Sequence, residues 1–181
     1  MMDIVNTLKS AIISGICIGV AGIGFLATRD IAGSVLFAFA PLTVVAYKLK
    51  LYTGTAGFIK KGEVPFLLLV FAGNVTGCLL MSLLARLSPM PLQESAQSIL
   101  EGRLAMGPLH GGLLSIACGF IMTTAVTFAR KGNNLPLLFG VPLFITCGYP
   151  HCMADAFFYL CVPLDFWMAH LGSILSFYVC I

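Results

Sequence analysis

Residues 135–161 read LPLLFGVPLFITCGYPHCMADAFFYLC, an apolar segment long enough to cross a membrane. Its centre nevertheless holds Gly148, Pro150, His151 and Asp155. Proline breaks a helix and glycine weakens one, and a break within lipid is tolerated only where the freed backbone is buried in protein or lines a cavity. The segment therefore predicts a membrane helix that is interrupted beside a polar pathway.

The composition of the whole chain agrees with a membrane protein. Of the 181 residues, 59% are hydrophobic and 9% are charged, whereas a soluble domain has about 25% charged residues. The net charge of +3 is small, and the basic residues form no stripe with aromatics between them, which excludes nucleic acid as a partner. The cysteines lie in or beside apolar runs and are expected to be buried free thiols. We expect a single transmembrane channel or transporter domain over residues 1–181.

Hydropathy predicts about six membrane helices, because a helix needs roughly 20 apolar residues to cross the hydrocarbon core. The expected spans are residues 8–27, 33 into 47–54, 64–84, 104–129, 135 onward and 165–181. Residues 86–103 are polar and form the longest expected connection. The first span lacks a signal-peptide cleavage site. The placement of lysine and arginine predicts a multi-pass protein of the inner (plasma) membrane with both termini in the cytoplasm.

The second and fifth spans resemble each other. LFAFAPL at residues 36–42 matches LFGVPL at residues 138–143, and each is followed by a polar interruption, around Thr53 and around His151. Three spans followed by three similar spans predict an all-α protein with a 3+3 inverted repeat. Its second and fifth helices are expected to be broken near residues 51–54 and 148–152, and the two breaks are expected to mark the pore.

His151 is the main candidate for chemistry, because a polar group inside an apolar span is costly. Histidine titrates near neutral pH, so it can pass a proton or bind a small anion. Asp155 is four residues later, on the same face of a restarted helix, where it could orient His151 or be protonated itself. A histidine that bonds a carbonyl only for packing is the plainer alternative.

Basic residues flank the expected breaks. Lys48 and Lys50 could reach the membrane interface or attract anions into a vestibule. Arg103, before the fourth span, could draw in anions or be an ordinary interfacial arginine. Asn74 has small neighbours, Gly73 and Gly77, which favours a role in close helix packing.

Three motifs resemble the formate/nitrite transporter family. LYTG at residues 51–54 is similar to its Leu-Phe-Thr-Gly segment, GYPHCMAD at residues 148–155 to its Gly-Phe-Glu-His-x-x-Ala-Asn signature, and GNVTG at residues 73–77 to its Gly-Asn-x-x-Gly. Arg103 stands where the family has a basic residue, commonly lysine. The motifs keep the family's order over most of the chain.

The resemblance implies an aquaporin-like bundle that assembles as a pentamer, with a pore in each protomer. It implies passage of small monovalent weak-acid anions such as formate, nitrite, hydrosulfide or lactate, often with a proton. His151 would be the central histidine and Thr53 its partner. The apolar constrictions would be formed by Leu51, Tyr52, Phe37 and Phe144. No cofactor or metal is implied.

The chain also departs from the family. Lys50 and Pro150 replace two glutamates, Asp155 replaces an asparagine, and Cys118-Gly119 replaces Cys-Asn. A carboxylate beside the histidine could weaken anion binding. A channel for ammonia/ammonium or urea, or a structural membrane subunit, therefore stays open as an alternative. An intramembrane enzyme is disfavoured, because His151 and Cys152 are adjacent and point to opposite sides of most backbones.

Overall fold

The computed structural model describes residues 3–181, and within this range the chain forms helices and no strand. The helices are α1 (Ile4–Thr28), α2 (Ile31–Phe37), α3 (Phe39–Ala46), α4 (Tyr52–Ala56), α5 (Val64–Ala85), α6 (Leu92–Met106), α7 (Pro108–Arg130), α8 (Leu135–Thr146), α9 (Cys152–Cys161) and α10 (Leu164–Cys180).

Three of these helices, α1, α5 and α7, are long and apolar enough to cross a membrane. Much of their outer surface is also apolar. In α7, Leu109, Leu113, Ile116 and Phe120 are exposed at helical spacing. Soluble monomers rarely expose apolar patches of this kind, so these faces belong against lipid or another protein surface.

The centre of the bundle is the crossing of α1 and α5, where glycines let the two backbones touch. A Cβ atom on Gly77 would lie 2.2 Å from the carbonyl oxygen of Ile12, and one on Gly15 would lie 2.1 Å from that of Asn74. Small residues permit this close approach between membrane helices. The crossing fixes α5 against the first half of α1.

A tight turn joins α1 to α2. Arg29 ends α1 in a left-handed conformation, with φ 57°. The Asp30 carboxylate then caps α2 by accepting a hydrogen bond of 2.8 Å from the Gly33 N–H. This bond favours the charged carboxylate and holds the pKa of Asp30 below its usual value.

Both predicted interruptions are present, but the first lies mostly before residues 51–54, because residues 52–56 form a helix. The first break, residues 47–51, separates α3 from α4, and the second break, residues 147–151, separates α8 from α9. The N–H groups of Lys48 and Leu49 donate to the carbonyls of Val45 and Val44 at 3.1 and 2.9 Å.

The second break repeats this pattern one hundred residues later. The N–H groups of Gly148 and Tyr149 donate to the carbonyls of Ile145 and Phe144, both at 2.9 Å. Each break also contains a left-handed residue, Lys48 with φ 53° and Gly148 with φ 68°. The two breaks therefore share one backbone design.

The polar connection predicted for residues 86–103 is wrong in part, because most of it forms α6. This helix buries Leu92, Ala96 and Leu100 on one face, at a spacing of four residues. The next helix consequently begins at Pro108 instead of residue 104. Burial of one narrow apolar stripe is enough to make this otherwise polar segment helical.

The second predicted span is also interrupted at Ala38 before its break, since α2 ends at Phe37 and α3 begins at Phe39. Pro41 has no N–H with which to bond the Phe37 carbonyl, which removes one bond of the helix. In α8, Pro142 lies inside a continuous helix. Phe37, the last residue of α2, lies in the core, where it is 2% exposed.

Candidate functional site

Three cavities follow one another through the bundle. We call the largest, of about 430 Å³, the first vestibule; its wall includes Lys48, Lys50 and Arg130. The second vestibule measures about 370 Å³ and includes Arg29, Arg103 and Asp155. The constriction between them, about 10 Å³, is lined by Ile18, Phe37, Pro41, Leu51, Met122, Val141, Phe144 and His151. The cavities lie in series because neighbouring ones share lining residues.

The constriction is almost dry. A cavity needs about 10–15 Å³ of such space to hold a single water molecule, so this one holds one water at most. All its lining side chains except His151 are apolar. An ion that passes here must shed its hydration shell, and a bare charge in apolar surroundings is very costly.

Phe37 and Phe144 belong to one constriction. Each ring is 2% exposed, and both rings line the constriction and the second vestibule. The Phe144 ring also stacks on the His151 ring at a centroid distance of 5.0 Å. Leu51, which is 3% exposed, lies at the end next to the first vestibule.

His151 is held at the start of α9 by a cap. Its backbone is extended, and its Nδ1 accepts a hydrogen bond of 3.2 Å from the Ala154 N–H. Because Nδ1 acts as an acceptor, a neutral ring carries its proton on Nε2. The hydrogen bond that this ring makes to residues 3–181 involves Nδ1 and not Nε2. The ring therefore offers one free donor to whatever enters the cavities it lines.

A lateral groove of about 310 Å³ also reaches His151, and Thr53 lines its other wall. The Thr53 hydroxyl is buried and has no hydrogen-bond partner in the described part of the chain. The structure thus places Thr53 and His151 in one cavity, each with an unused donor. Tyr52 lines this groove instead of the constriction, and its ring packs on Phe71 at 5.2 Å between centroids.

Asp155 does not orient His151 with its side chain. The fully buried carboxylate lies 3.3 Å from the Nε of Arg103, although this ion pair lacks hydrogen-bond geometry. Contact with His151 is through the backbone, where the Asp155 N–H donates to the His151 carbonyl at 2.8 Å. His151 is the extended cap residue, so its ring turns back to the Ala154 N–H and leaves the helix face that Asp155 occupies.

Arg103 lines the second vestibule, but its two terminal nitrogens donate to the protein. The guanidinium donates to the carbonyl of Gly148 and, at 3.3 Å, to that of Tyr149. These carbonyls belong to the second break and have lost their helical partners. Arg103 therefore stabilises the break, a role that the sequence analysis missed.

Asn74 does the same for the first break. The buried amide accepts a hydrogen bond of 2.7 Å from the Tyr52 N–H and donates to the carbonyls of Ala11 and Lys50 at 2.8 and 3.0 Å. The predicted packing role was too limited. A buried amide costs several kcal/mol without partners, so an asparagine inside an apolar helix was the signal for an unpaired backbone nearby.

The lysines of the first vestibule remain available to a ligand. Lys50 is anchored by its backbone, whose N–H donates to the Ser10 hydroxyl at 3.0 Å. Arg130 is engaged, because it donates to the Gly54 carbonyl at 2.9 Å and lies 3.7 Å over the ring of Phe58. No carboxylate within residues 3–181 lines this vestibule. Its wall is therefore positively charged without compensation.

Metal binding finds no support in the described residues, where no three side chains of histidine, cysteine, aspartate or glutamate come together as a metal site. A helical bundle with an apolar outer surface, two vestibules and a constriction between them is the architecture of an integral membrane channel or transporter.

The comparison with protein families identifies which one. The formate/nitrite transporter family matches residues 1–179, and the chain belongs to that family. The resemblance found in the sequence is thereby confirmed.

Solved structures show the same fold. A structure titled "FNT family ion channel" superposes with a TM-score of 0.81 at 19% identity, covering 98% of this chain and 82% of that one. A "Pentameric formate channel with formate bound" gives a TM-score of 0.75 at 22% identity, covering 93% and 81%. A comparison with curated proteins finds no match.

Proposed function

We propose that this chain is a channel for small monovalent anions of weak acids, such as formate, nitrite and hydrosulfide, with His151 at its centre. The observation that carries the proposal is the free Nε2 of His151 beside a nearly dry constriction that separates two vestibules. Residues 1–181 act as one transmembrane domain in the inner (plasma) membrane, with both termini cytoplasmic. A homo-pentamer is supported by the pentameric relative of the same fold.

The constriction favours weak acids for a physical reason. A bare ion in an apolar medium costs tens of kcal/mol by Born solvation, whereas a neutral hydroxyl or amide costs only about 2–7 kcal/mol. An anion that takes up a proton at the constriction avoids most of this barrier. Lys48 and Lys50 supply the anion by raising its concentration in the first vestibule.

His151 and Thr53 act on the anion by donating hydrogen bonds. The ring can also deliver a proton: Nδ1 takes one up, and the resulting imidazolium gives its Nε2 proton to the anion. After this transfer the permeating acid is neutral, and the ring is neutral with its remaining proton on Nδ1. This route requires the Ala154 hydrogen bond to break, because a protonated Nδ1 cannot accept it. Proton linkage through His151 is therefore coupled to loss of the cap on α9.

Flux in liposomes over about pH 5 to 8, which brackets histidine titration, tests the proposal. The panel is formate, nitrite, hydrosulfide, ammonium and urea. In His151→Asn, asparagine is a favoured helix cap but cannot titrate. We expect this variant to keep its oligomer and to lose the proton-coupled part of formate flux. His110→Asn, at an exposed position of α7, should behave as wild type. Unchanged flux and pH dependence in His151→Asn would make His151 a structural residue.

An ammonium or urea channel is the second candidate, and buried Asp155 is the residue that suggests it. The ion pair with Arg103 offsets the negative charge of Asp155, which argues against a cation pathway. Ammonium or urea flux without formate flux would select this candidate. A protein that assembles but passes no solute in the panel would instead be a structural subunit.

A further inference from the structure

The guanidinium of Arg103 joins α6 to both sides of the second break. Two of its nitrogens hold the carbonyls of Gly148 and Tyr149, which come shortly before His151. Its third nitrogen lies 3.3 Å from Asp155, four residues after His151. Arg103 thus fixes the chain on both sides of His151, before it at Gly148 and Tyr149 and after it at Asp155. Movement of Arg103 would release the backbone on both sides of the histidine.

The positive charge of Arg103 is offset by the neighbouring carboxylate of Asp155. The side chains of Arg103 and Asp155 are 12% and 0% exposed, and both line the second vestibule. Water screens such a buried charge poorly, so an unpaired arginine here would attract an anion strongly. Conduction requires that an anion be bound weakly enough to leave. Arg29, the other cation of this wall, donates to the Ser95 carbonyl.

We propose that Arg103 positions the pore histidine, and that Asp155 offsets the charge of Arg103 so that an anion can leave the second vestibule. Asp155 is in this sense a specificity residue that never touches the anion. The effect on flux rests on the proposed anion channel. The effect on local charge and on the position of His151 does not.

Cys147 provides a probe of local charge. It is exposed and lies in the wall of the second vestibule, beside Gly148. The full chain in detergent can be treated with anionic and cationic methanethiosulfonate reagents of similar size. Mass spectrometry of the peptide that carries Cys147 gives the two reaction rates. Their ratio reports the charge of the vestibule without any assumption about transport.

We expect Asp155→Asn to raise the anionic-to-cationic rate ratio at Cys147 several-fold, since Arg103 loses its counter-ion. The double variant Arg103→Gln, Asp155→Asn should return to the wild-type ratio. Asp165→Asn, which removes an exposed carboxylate at the start of α10, is the matched control and should change nothing. An unchanged ratio in Asp155→Asn would overturn the charge-offset role.

Arg103→Lys tests whether Arg103 positions His151. This test remains valid even if Asp155→Asn fails to assemble. Lysine keeps the charge but cannot bind two carbonyls as a planar fork. We expect maximal formate flux to fall roughly tenfold, as loss of precise orientation does, with the Cys147 ratio unchanged. At Arg86 a single nitrogen, Nη2, donates to the carbonyls of Leu160 and Val162. One ammonium can replace it, so Arg86→Lys should stay within about twofold of wild type. Wild-type flux in Arg103→Lys would overturn the positioning role.

Formate saturation links the two proposals. In Asp155→Asn the half-saturating formate concentration should fall roughly tenfold while maximal flux also falls, because the anion is bound more tightly and released more slowly. An unchanged half-saturation in a conducting variant contradicts the role of Asp155. Absence of formate flux in the wild type contradicts the proposed function instead, and the Cys147 ratios still decide the charge offset.

Discussion

Arginine and lysine occupy different kinds of position along this chain. Each arginine donates to main-chain carbonyls: Arg29 to Ser95, Arg86 to Leu160 and Val162, Arg103 to Gly148 and Tyr149, and Arg130 to Gly54. Lys48 and Lys50 face the first vestibule. A planar guanidinium suits the fixed geometry of freed carbonyls, whereas a flexible ammonium suits a wet wall that gathers anions.

Substitutions at the left-handed residues of the two breaks should change the unfolding free energy in opposite directions. Lys48→Gly removes backbone strain of about 1–2 kcal/mol but adds about 0.5–1 kcal/mol of entropy cost, so we expect a gain of up to about 1.5 kcal/mol in unfolding free energy. Gly148→Ala introduces the same strain but recovers that entropy, so it should lose up to about 1.5 kcal/mol. Thermal unfolding in detergent measures both changes. Changes of the same sign would show that the breaks are not equivalent.

Asn74→Leu should be strongly destabilising. It leaves the Tyr52 N–H and two carbonyls without their partner, at about 1–3 kcal/mol for each buried group. Ser82→Ala, on the same helix, loses only a hydroxyl bond to the Leu79 carbonyl and should cost under about 1.5 kcal/mol. Unfolding of the two variants at similar temperatures would remove the role assigned to Asn74.

Among the helices, the crossing of α1 and α5 is the contact least able to adapt. A methyl group on Gly77 would meet the Ile12 carbonyl oxygen at 2.2 Å, and a backbone atom cannot rotate away as a side chain can. Gly77→Ala should therefore separate the two helices and prevent stable assembly. Gly24→Ala, where no atom lies within 4 Å, should be neutral or stabilise α1 by up to about 1 kcal/mol. Size-exclusion chromatography and thermal unfolding compare the pair.

The sequence predicted those elements whose cause is local. Glycine and proline residues predicted the second break, and long apolar runs predicted α1 and α5. The helix α6 was missed because polar residues and nearby prolines hide a stripe of only three buried side chains. The partners of Asn74 and Arg103 were missed because they lie 22 to 63 residues and 45 to 52 residues away along the chain. Such pairings depend on how helices pack.

Taken as a whole, the protein has vestibules of unequal charge. The first contains Lys48, Lys50 and Arg130 with no carboxylate among its described lining residues. The second contains Arg29 beside the paired Arg103 and Asp155, and is therefore less positive. An uncompensated charge acts at a distance through water, and a paired one does not. Long-range attraction of anions is therefore expected at the first vestibule.

Salt dependence measures this asymmetry. The double variant Lys48→Gln, Lys50→Gln should lower formate flux several-fold at low ionic strength, where the screening length is about 30 Å. The difference from wild type should vanish near 1 M salt, where that length is about 3 Å. Lys61→Gln, an exposed lysine outside the vestibule, is the control. A deficit that persists at high salt would point to damaged structure instead of lost attraction.

The shortness of the half-helices constrains how the chain enters a bilayer. α8 has 12 residues and α9 has 10, or about 18 and 15 Å of helix, against a hydrocarbon core of about 30 Å. Neither can partition into lipid alone during synthesis, whereas α1, α5 and α7 can. Arg103 leaves the ribosome well before Asp155, so its counter-ion arrives late. A nascent chain that stops between them therefore presents an arginine without its counter-ion to the insertion machinery.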